Sequence, residues 1–434
     1  MTFRKRIFNL NSVLLLALSG LYCLLFFAVL SQLKLQDFTS FYAALINYTN
    51  LDNPYSKLTS NFLPNHTKLT ANLNPPFVLL AFCFLTKFSY QTALIIWLFL
   101  SLILGLVGAW IAFYYSFSND FLKSYMILLM VIFLSFFSTI INISVGQMGL
   151  ILLFFVMAGY HFYLIKQDTL CGIFWGLIIA AKFFPALLLI FALKQRRMKV
   201  FYAMLMTLTL AFLLAYFING RIIYSQYFAM MSQVFWYGDN WNASIFGYFY
   251  RLFFQAQSPQ DLMFLQQIVY VFLSIICLFF YLKNLGFSGF KVVNHQPFCL
   301  TLTMMLLMSP FGWLYYFPLL IFPLCLLYGK AYNELNFSIK SMLILLIILF
   351  LIGIPQNYIN QKNMDLLSAK IIFFSFYFYG LLLLNYLCLR KDKMPGNLEL
   401  IYYAENAPFI RITLFILIFN LVITALRFFL EYLN

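Results

Sequence analysis

A long succession of apolar runs, each interrupted by only a few polar residues, is the feature that most constrains this chain. Charged residues make up 9% of the sequence and hydrophobic residues 64%, whereas soluble domains are nearer a quarter charged and half apolar. So few charges cannot cover a water-facing surface, and a disordered chain would need low hydrophobicity. Soluble multidomain enzymes and disordered proteins are therefore excluded, and the chain must use lipid as its main solvent.

The apolar runs predict an all-α fold, a polytopic membrane helix bundle with about 12–13 transmembrane helices. The predicted spans are roughly 12–33, 76–88, 92–115, 123–141, 148–165, 170–191, 199–218, 263–282, 297–309, 313–328, 339–354, 369–389 and 409–429. With the N-terminus inside, every clustered basic loop falls on the cytoplasmic side, as the positive-inside rule requires. Residues 34–75 and 219–262 then form two external loops, and the C-terminus lies outside.

The net charge and the positions of the cysteines and histidines indicate which ligands and partners the chain can bind. The net charge of +15 fits cytoplasmic loops and anionic lipid headgroups, and no basic stripe interleaved with exposed aromatics indicates nucleic acid. The seven cysteines lie in apolar runs without a CxxC pair, and His66, His161 and His295 lack the spacing of metal ligands. We therefore expect no disulfide framework, no metal and no cofactor.

Asp37 is the first candidate for chemistry because it follows the first predicted span by only a few residues. A carboxylate at the bilayer edge is partly desolvated, which raises its pKa and makes it a better base. The alternative is an interfacial acid that pairs with Lys34 or caps a helix. In the same loop, Phe38, Phe41, Tyr42 and Leu45 recur at helical spacing, which predicts a helix along the membrane surface with its apolar face towards lipid.

Two cations complete the candidates. Lys182 lies within an apolar run, where charge is costly, and Pro185 is expected to kink that helix and free backbone carbonyls. It either serves a lipid-linked phosphate or pairs with a buried polar group. Arg251 follows Asn242-Ala243-Ser244 in the second external loop. Its planar fork suits phosphate, and the alternative is an arginine that snorkels to lipid headgroups.

The order of these segments resembles that of glycosyltransferase family 87, the polyprenyl-phosphomannose-type mannosyltransferases of the GT-C superfamily. The matching segments are Asp37-Phe38-x-x-Phe41-Tyr42-x-Ala44, Asn53-Pro54-Tyr55, Asn74-Pro75-Pro76, Gly146-Gln147, Ala181-Lys182-x-x-Pro185, Asn242-x-Ser244 with Arg251, and Ser309-Pro310-x-x-Trp313. The resemblance covers about residues 10–330, and later residues match only in being hydrophobic. It therefore divides the chain into a catalytic module, 1–330, and additional C-terminal helices, 331–434.

The resemblance implies a GT-C bundle with a cavity on the external face, roofed by the first external loop. It implies a sugar donor on a polyprenyl phosphate, an acceptor hydroxyl on a lipid or glycan, and a bacterial inner membrane with the active site on the periplasmic side. Asp37 becomes the general base, and Lys182 and Arg251 bind the donor phosphate. Residues expected to position substrate are Tyr42, Asn242, Ser244, Trp313 and Tyr315. Tyr315 departs from the family, because a histidine is common at that position.

A single base is sufficient for such a reaction. A phosphate leaving group needs little protonation, whereas the attacking hydroxyl must lose a proton as the new bond forms. Glycoside hydrolases need two carboxylates because their leaving group is poor. We therefore expect inversion at the anomeric carbon. The span count places Gly146-Gln147 near the cytoplasmic face, away from the cavity. Either one short run is not a full span or the pair is structural, and we favour the structural role.

Two other functional classes stay open. A lipid-linked oligosaccharide polymerase or ligase relies on external arginines and a histidine, for which His66 is the candidate. A flippase or transporter needs polar residues along several spans, and Lys182 is the clear mid-span charge here. The sugar, the acceptor and the polyprenol length are not encoded in any recognisable residue, and mannose comes from the resemblance alone.

Overall fold

The structure is a computed structural model that describes residues 19–20, 24, 36–63, 68–233, 238–253, 259–286, 293–333, 339–355, 371, 374–390, 394, 396, 398 and 407–433. The predicted first span, 12–33, lies almost wholly outside these residues. Lys34 and His66 lie outside them as well, so the pairing of Asp37 with Lys34 and the role of His66 both stay predictions.

Helices account for almost all of the regular structure in the described residues. In chain order they begin with α1 Gln36–Thr49, α2 Pro76–Phe82, α3 Tyr90–Ser116, α4 Asn119–Ser135, α5 Phe137–Val145, α6 Gly149–Leu164, α7 Asp168–Ala181, α8 Leu187–Lys194 and α9 Met198–Asn219. They continue with α10 Ile222–Met231, α11 Ile245–Phe253, α12 Pro259–Asn284, α13 Gln296–Met308, α14 Ile321–Asn333, α15 Ile339–Gly353, α16 Phe376–Leu389 and α17 Ala407–Leu433. Isolated β-bridges occur, but the described part of the chain forms no strand. The predicted all-α class is confirmed.

The apolar composition of the helices confirms a polytopic membrane bundle. Four are long and apolar enough to cross a bilayer, namely Tyr90–Ser116, Met198–Asn219, Gln267–Asn284 and Leu314–Ala331, and α4 with α5 would make a fifth as one bent span. Further apolar helices of 10–17 residues are shorter than the roughly 20 residues of a full crossing. The predicted number of 12–13 crossings is not decided by the described residues and stays a prediction.

Two helices display the stripe of exposed apolar side chains that a lipid-facing helix requires. On α9 the exposed apolar residues include Tyr202, Met206, Leu210, Leu214 and Phe217. On α12 they are Leu265, Ile268, Val271, Phe272, Ile275 and Phe279. Most steps within each set are three or four residues, so these side chains form a stripe along the helix. In water such stripes would be an aggregation hazard, whereas in lipid they are the expected surface.

The chain forms two compact units, which we name after their candidate residues. The Asp37 unit comprises Leu15–Gly108 and Ile140–Val234, and the Arg251 unit comprises Met1–Leu14, Ala109–Thr139 and Phe235–Asn434. Asp37, Tyr42 and Lys182 belong to the first unit, whereas the other predicted site residues belong to the second. Each unit is described by itself below.

Small residues set the close packing in the Asp37 unit. Gly172 and Gly176, four residues apart on α7, lie against Ala203 and Thr207 of α9. A Cβ atom at Gly176 would come within 2.6 Å of the Thr207 Cβ, so glycine is needed for this approach. Small residues at this spacing let membrane helices pack backbone to backbone. The α7–α9 contact fixes the end of α7, where Lys182 follows.

The apolar face of α1 packs on protein, and its predicted contact with lipid is wrong. Phe38, Phe41, Tyr42 and Leu45 are buried as the helical pattern requires. The rings of Phe38 and Phe41 lie 5.8 Å and 5.2 Å from the Trp97 ring, centroid to centroid, and the Tyr42 ring packs on Phe62 and Tyr90. A period of 3.6 residues identifies a buried face but does not distinguish lipid from protein as its partner.

The Arg251 unit includes the C-terminal helices. Asn385 on α16 donates to the Thr303 hydroxyl on α13 at 2.9 Å, and Gln296 on α13 donates to the Cys388 carbonyl at 2.6 Å. α15 packs against both α16 and α17. The described helices after residue 330 therefore share a unit with α13 and α14. A functional boundary at residue 330 stays a prediction.

Candidate active site

Asp37 lies in the first turn of α1, where the helix dipole favours a negative charge. Its side chain is half-buried, so part of it is accessible to a small molecule. The next residue, Phe38, is fully buried against Tyr90 and Trp97, which anchors the start of α1. The position of the carboxylate is thus fixed by the packing of its neighbour.

The side chain of Gln147 hydrogen-bonds to the Asp37 carboxylate. Gln147 follows Gly146, whose φ of +68° is a left-handed conformation that glycine adopts without strain. The Gly146 carbonyl accepts from the Trp97 indole at 2.9 Å, and the Gln147 amide donates to the Asn142 carbonyl at 3.0 Å. The turn after α5 is therefore held on both sides while it presents Gln147 to Asp37.

This contact corrects the sequence-based placement of Gly146-Gln147. The span count puts the pair near the cytoplasmic face, whereas Gln147 lies within hydrogen-bonding distance of the residue expected on the external side. The count treats the 123–141 run as one complete straight span. In the structure that run is α4 and α5 with a bend between them. Gln147 thus lies beside Asp37, whereas sequence reasoning placed it away from the cavity and favoured a structural role.

Lys182 interacts electrostatically with Asp37 across the Asp37 unit. α7 ends at Ala181, and Lys182 has an extended backbone with φ −147° and ψ 129°. Pro185 follows in a short 3₁₀ turn, Phe184–Ala186, before α8 begins. The predicted break near Pro185 is confirmed, and it starts at Lys182 itself. Irregular backbone within an apolar run is tolerated where protein or a polar cavity surrounds it, which suits a half-buried lysine.

The electrostatic environment makes Asp37 a stronger base than an exposed aspartate. Desolvation by the surrounding protein raises the pKa of the Asp37 carboxyl above its ordinary value of 3.8. The Gln147 hydrogen bond and the positive charge of Lys182 both oppose that rise. The balance leaves a carboxylate with increased proton affinity and two neighbours that stabilise its ionised form.

Tyr42 lies near this group but uses its polar atom elsewhere. Its hydroxyl donates to the Phe88 carbonyl at 2.7 Å, and its ring packs against Phe62 and Tyr90. These contacts connect α1 to the segment before α3. The geometry favours a supporting role, and substrate positioning by Tyr42 stays a prediction.

Arg251 of α11 is 2% exposed, which is incompatible with snorkelling to headgroups. Its Nη1 donates to the carbonyls of Asp239 at 2.5 Å, Asn242 at 3.0 Å and Gly238 at 3.4 Å. Its Nε and Nη2 are buried and have no hydrogen-bond partner. Burial lowers the pKa of the guanidinium to about 10, so it remains charged at neutral pH. The edge with two parallel N–H groups is therefore the one that the protein leaves unpaired.

Asn242 and Ser244 build the loop that holds Arg251. Asn242 donates to the Pro310 carbonyl at 2.9 Å and accepts the Ser244 amide at 3.1 Å. The Ser244 hydroxyl accepts the Gly247 amide at 3.0 Å and so caps α11. The side chains of both residues thus serve the loop, and substrate contact by either stays a prediction.

Trp313 belongs to the segment Ser309-Pro310-x-x-Trp313, and Tyr315 follows it. The structure places this segment beside the loop that contains Asn242 and Ser244. Asn242 and Trp313 form a β-bridge, and the Ala243 amide donates to the Gly312 carbonyl at 2.9 Å. Trp313 is 6% exposed, and its Nε1 is buried without a hydrogen-bond partner. Tyr315 is buried with its ring 6.1 Å from that of Trp241. The two motifs, separated by some seventy positions in the sequence, therefore form one structural element.

Metal ligands do not cluster in the described ranges, where no three His, Cys, Asp or Glu side chains could share an ion. Of the predicted site residues, the structure joins Asp37 with Lys182 and joins Arg251 with Asn242, Ser244, Trp313 and Tyr315. A polar residue after a glycine at the end of an apolar run was the sequence signal for Gln147.

The sequence model of glycosyltransferase family 87 matches residues 72–310, which is more than half of the chain. The matched range contains Gln147, Lys182 and Arg251, and it begins after Asp37. No curated protein and no solved structure matches the chain. The family match and the apolar helices together identify a multi-pass membrane protein that transfers sugars. The chain belongs to glycosyltransferase family 87.

Proposed function

We propose that this glycosyltransferase takes its sugar from a polyprenyl phosphate and transfers it, with inversion, to a hydroxyl of a lipid or glycan. Asp37 acts as the general base, and Lys182 stabilises the departing phosphate. The sugar is mannose or another hexose or pentose, with mannose suggested by the family resemblance. The reaction is assigned to the periplasmic side of a bacterial inner membrane.

One observation carries this proposal: the half-buried Asp37 carboxylate accepts from Gln147 and faces the positive charge of Lys182 at a helix break. A purely structural ion pair would not need an accessible carboxylate with increased proton affinity. Strongly perturbed acids next to a specific charge partner are typical of catalytic sites. The amide of Gln147 also fixes the direction in which the carboxylate points.

The proposed step balances with this single acid. The acceptor oxygen forms a bond to the anomeric carbon while its proton moves to the Asp37 carboxylate. The bond between the anomeric carbon and the phosphate oxygen breaks, and its electron pair leaves with the polyprenyl phosphate. Attack opposite to the leaving group inverts the configuration, and no second acid is required because phosphate is a good leaving group.

The Asp37–Lys182 interaction gives this step an electrostatic advantage. Before the reaction, the Asp37 carboxylate partly compensates the lysine charge. When Asp37 receives the proton, that compensation ends as negative charge develops on the leaving phosphate. A fixed cation that becomes uncompensated at that moment stabilises the transition state more than the ground state, which is the requirement for catalysis.

Arg251 is proposed to bind the donor phosphate through its Nε–Nη2 edge. Its Nη1 is held by three backbone carbonyls, so the guanidinium is fixed before a ligand arrives. The free edge offers the two parallel N–H groups that a phosphate accepts in bidentate fashion. The Trp313 indole N–H adds another buried donor in the same structural element. The unpaired groups of both residues are donors, which favours an anion over a neutral ligand.

Reconstitution in liposomes with a panel of polyprenyl-phosphate sugars tests the donor class. We expect the wild-type protein to consume one donor of the panel and to form a product of inverted anomeric configuration. Asp37→Asn should stop donor consumption without reducing donor binding. Asp52→Asn is the matched control, because Asp52 is an exposed aspartate after the same helix, and it should leave transfer unchanged.

The outcomes separate the rival classes. Full donor consumption by Asp37→Asn, or a product of retained configuration, would refute the single-base mechanism. Movement of intact donor across the bilayer without transfer would identify a flippase. Transfer of preassembled oligosaccharides in place of single sugars would identify a polymerase or ligase.

A further inference from the structure

Asn72 and Asn74 carry buried polar atoms that the mechanism above does not use. Asn72 is 2% exposed, and its Nδ2 is buried without a hydrogen-bond partner. The Oδ1 of Asn74 is also buried without a partner. Leaving a buried polar group unpaired is costly, so an unpaired donor and an unpaired acceptor on two amides that bond to each other point to a ligand.

The hydrogen bonds around the two amides fix which atoms are free. The Asn72 Oδ1 accepts from the Asn74 backbone amide at 3.1 Å, which orients the Asn72 side chain with its nitrogen away from that bond. The same Oδ1 accepts from the Asn74 Nδ2 at 2.8 Å, which leaves the Asn74 oxygen free. Reversing either amide would place two like groups in contact. The pair therefore offers one donor nitrogen and one acceptor oxygen.

The neighbours of this pair connect it to the candidate active site within the Asp37 unit. Thr70, two residues before Asn72, shares a hydrogen bond of 2.8 Å with Ser40, one turn along α1 from Asp37. The backbone carbonyl of Asn74 accepts from the Tyr55 hydroxyl at 2.9 Å. The segment 70–74 is thus tied to the helix that carries the proposed base.

A row of aromatic rings leads from the same pair towards Lys182. The Tyr55 ring lies 5.3 Å from that of Tyr227, which lies 6.3 Å from that of Phe183, centroid to centroid. Phe183 directly follows Lys182 and is 55% exposed. Such rings offer an apolar face against which the C–H groups of a sugar ring can pack.

We propose that Asn72 and Asn74 form a subsite that binds hydroxyl groups of a sugar ring, with the rings of Tyr55, Tyr227 and Phe183 beside it. This inference rests on the proposed function, since it names the residues that recognise a sugar near Asp37. One free donor and one free acceptor suit the hydroxyl groups of a sugar, which both donate and accept. An anion would leave the Asn74 oxygen facing negative charge and is disfavoured.

Asn72→Asp tests the subsite without removing the acceptor that orients the loop. The carboxylate keeps one oxygen for both bonds from Asn74 and replaces only the free nitrogen by an oxygen. Asn53→Asp is the matched control, because the Asn53 Oδ1 accepts the Tyr55 amide in an equivalent turn of the same loop and carries no buried unpaired nitrogen. Both variants are compared with wild type in the reconstituted full chain.

The sugar can belong to the donor or to a glycan acceptor, and separate KM measurements distinguish these sources. With polyprenyl-phosphate mannose as donor, we expect Asn72→Asp to raise the KM of one substrate about tenfold and Asn53→Asp to leave both unchanged. A rise for the donor assigns the subsite to the transferred sugar, and a rise for the acceptor assigns it to the glycan. Unchanged KM values in Asn72→Asp would overturn the proposal.

Deoxygenated substrates test the same subsite on the wild-type protein, independently of any folding defect in a variant. Among substrates that lack one hydroxyl each, we expect one to lose about tenfold in kcat/KM, because the amide groups are then left unpaired. Equal use of every deoxygenated substrate would overturn the subsite while leaving sugar transfer intact. Failure of the wild type to use any polyprenyl-phosphate sugar would instead refute the donor class, and the subsite with it.

Discussion

Asp37 and Arg251 are both charged residues on short helices, but the two side chains differ in their exposure and in the groups that surround them. Asp37 is half-buried, accepts a hydrogen bond from Gln147 in the turn after α5, and interacts with the charge of Lys182 just after α7. Arg251 is 2% exposed and is held by backbone carbonyls of one neighbouring loop. The first group can exchange a proton, whereas the second keeps its charge at any physiological pH.

This difference indicates a division of labour. A base must change its protonation state during the reaction, so its environment has to be balanced between desolvation and compensation. A group that only binds an anion gains most from a fixed position and a permanent charge. The same contrast separates the effects of substitutions: at Asp37 we expect loss of rate without loss of stability, and at Arg251 we expect loss of affinity.

The largest effect is expected from Asp37→Asn. Removing the base should lower kcat about a thousandfold, within the usual contribution of general-base catalysis. Folding raises the pKa of Asp37 above 3.8, so the ionised carboxylate is less stable in the folded protein than in the unfolded chain. This cost is fully present at pH values above the folded pKa, and it is absent below pH 3.8, where Asp37 is protonated in both states. The neutral asparagine avoids this cost, so the thermal midpoint in detergent at neutral pH should rise.

The comparison would be broken by an Asp37→Asn protein that keeps its rate or that unfolds at lower temperature. An unchanged rate would show that Asp37 is not the general base. A lower unfolding temperature would show that the carboxylate stabilises the fold. Asp52→Asn, which changes an exposed aspartate, should alter neither the rate nor the thermal midpoint.

Arg251→Lys tests the other half of the comparison. Lysine keeps the positive charge but lacks the pair of parallel N–H groups, so we expect the KM for the polyprenyl-phosphate donor to rise about tenfold while kcat changes less. Arg221→Lys is the control, since Arg221 is an exposed arginine. An unchanged KM in Arg251→Lys would show that the Nε–Nη2 edge of Arg251 does not bind the donor phosphate.

Much of the architecture was predictable from the sequence because lipid imposes strong rules on composition and periodicity. The all-α class, the helix of the first loop and the break near Pro185 follow from apolar runs, 3.6-residue spacing and proline chemistry. The partner of the apolar face of α1 did not follow, because protein and lipid accept the same side chains. The packing of Phe38 and Phe41 on Trp97 had no sequence signal.

The candidate sites were predictable residue by residue, but their groupings were not. A carboxylate at a span boundary and a lysine within an apolar run are visible because each is costly there. That Gln147 contacts Asp37 is a long-range contact that neither residue type encodes. The pairing of Asn242 with Trp313 is likewise a long-range contact.

Gln147→Leu tests the environment of Asp37 without changing the Arg251 site, because it removes one of the two groups that lower the pKa of the Asp37 carboxyl. The Gln147 hydrogen bond lowers the pKa of the carboxyl, so its loss should raise that pKa further. The base then stays protonated up to a higher pH. We expect the acid limb of the pH–rate profile to move to higher pH with little change in the plateau. Gln91→Leu, at an exposed position on α3, should leave the limb in place, and an unmoved limb in Gln147→Leu would exclude Gln147 from the site.

The smallest effect is expected from Tyr42→Phe, which removes the hydroxyl that donates to the Phe88 carbonyl and retains the ring. A single hydrogen bond of this kind contributes about 1 kcal/mol to stability, so the thermal midpoint should fall by a few degrees. If Tyr42 only supports α1, the KM values of donor and acceptor stay at their wild-type values. A raised KM at unchanged stability would instead place the Tyr42 hydroxyl on a substrate. That result would enlarge the Asp37 site, and it would show that a hydroxyl can exchange a backbone partner for a ligand during the reaction.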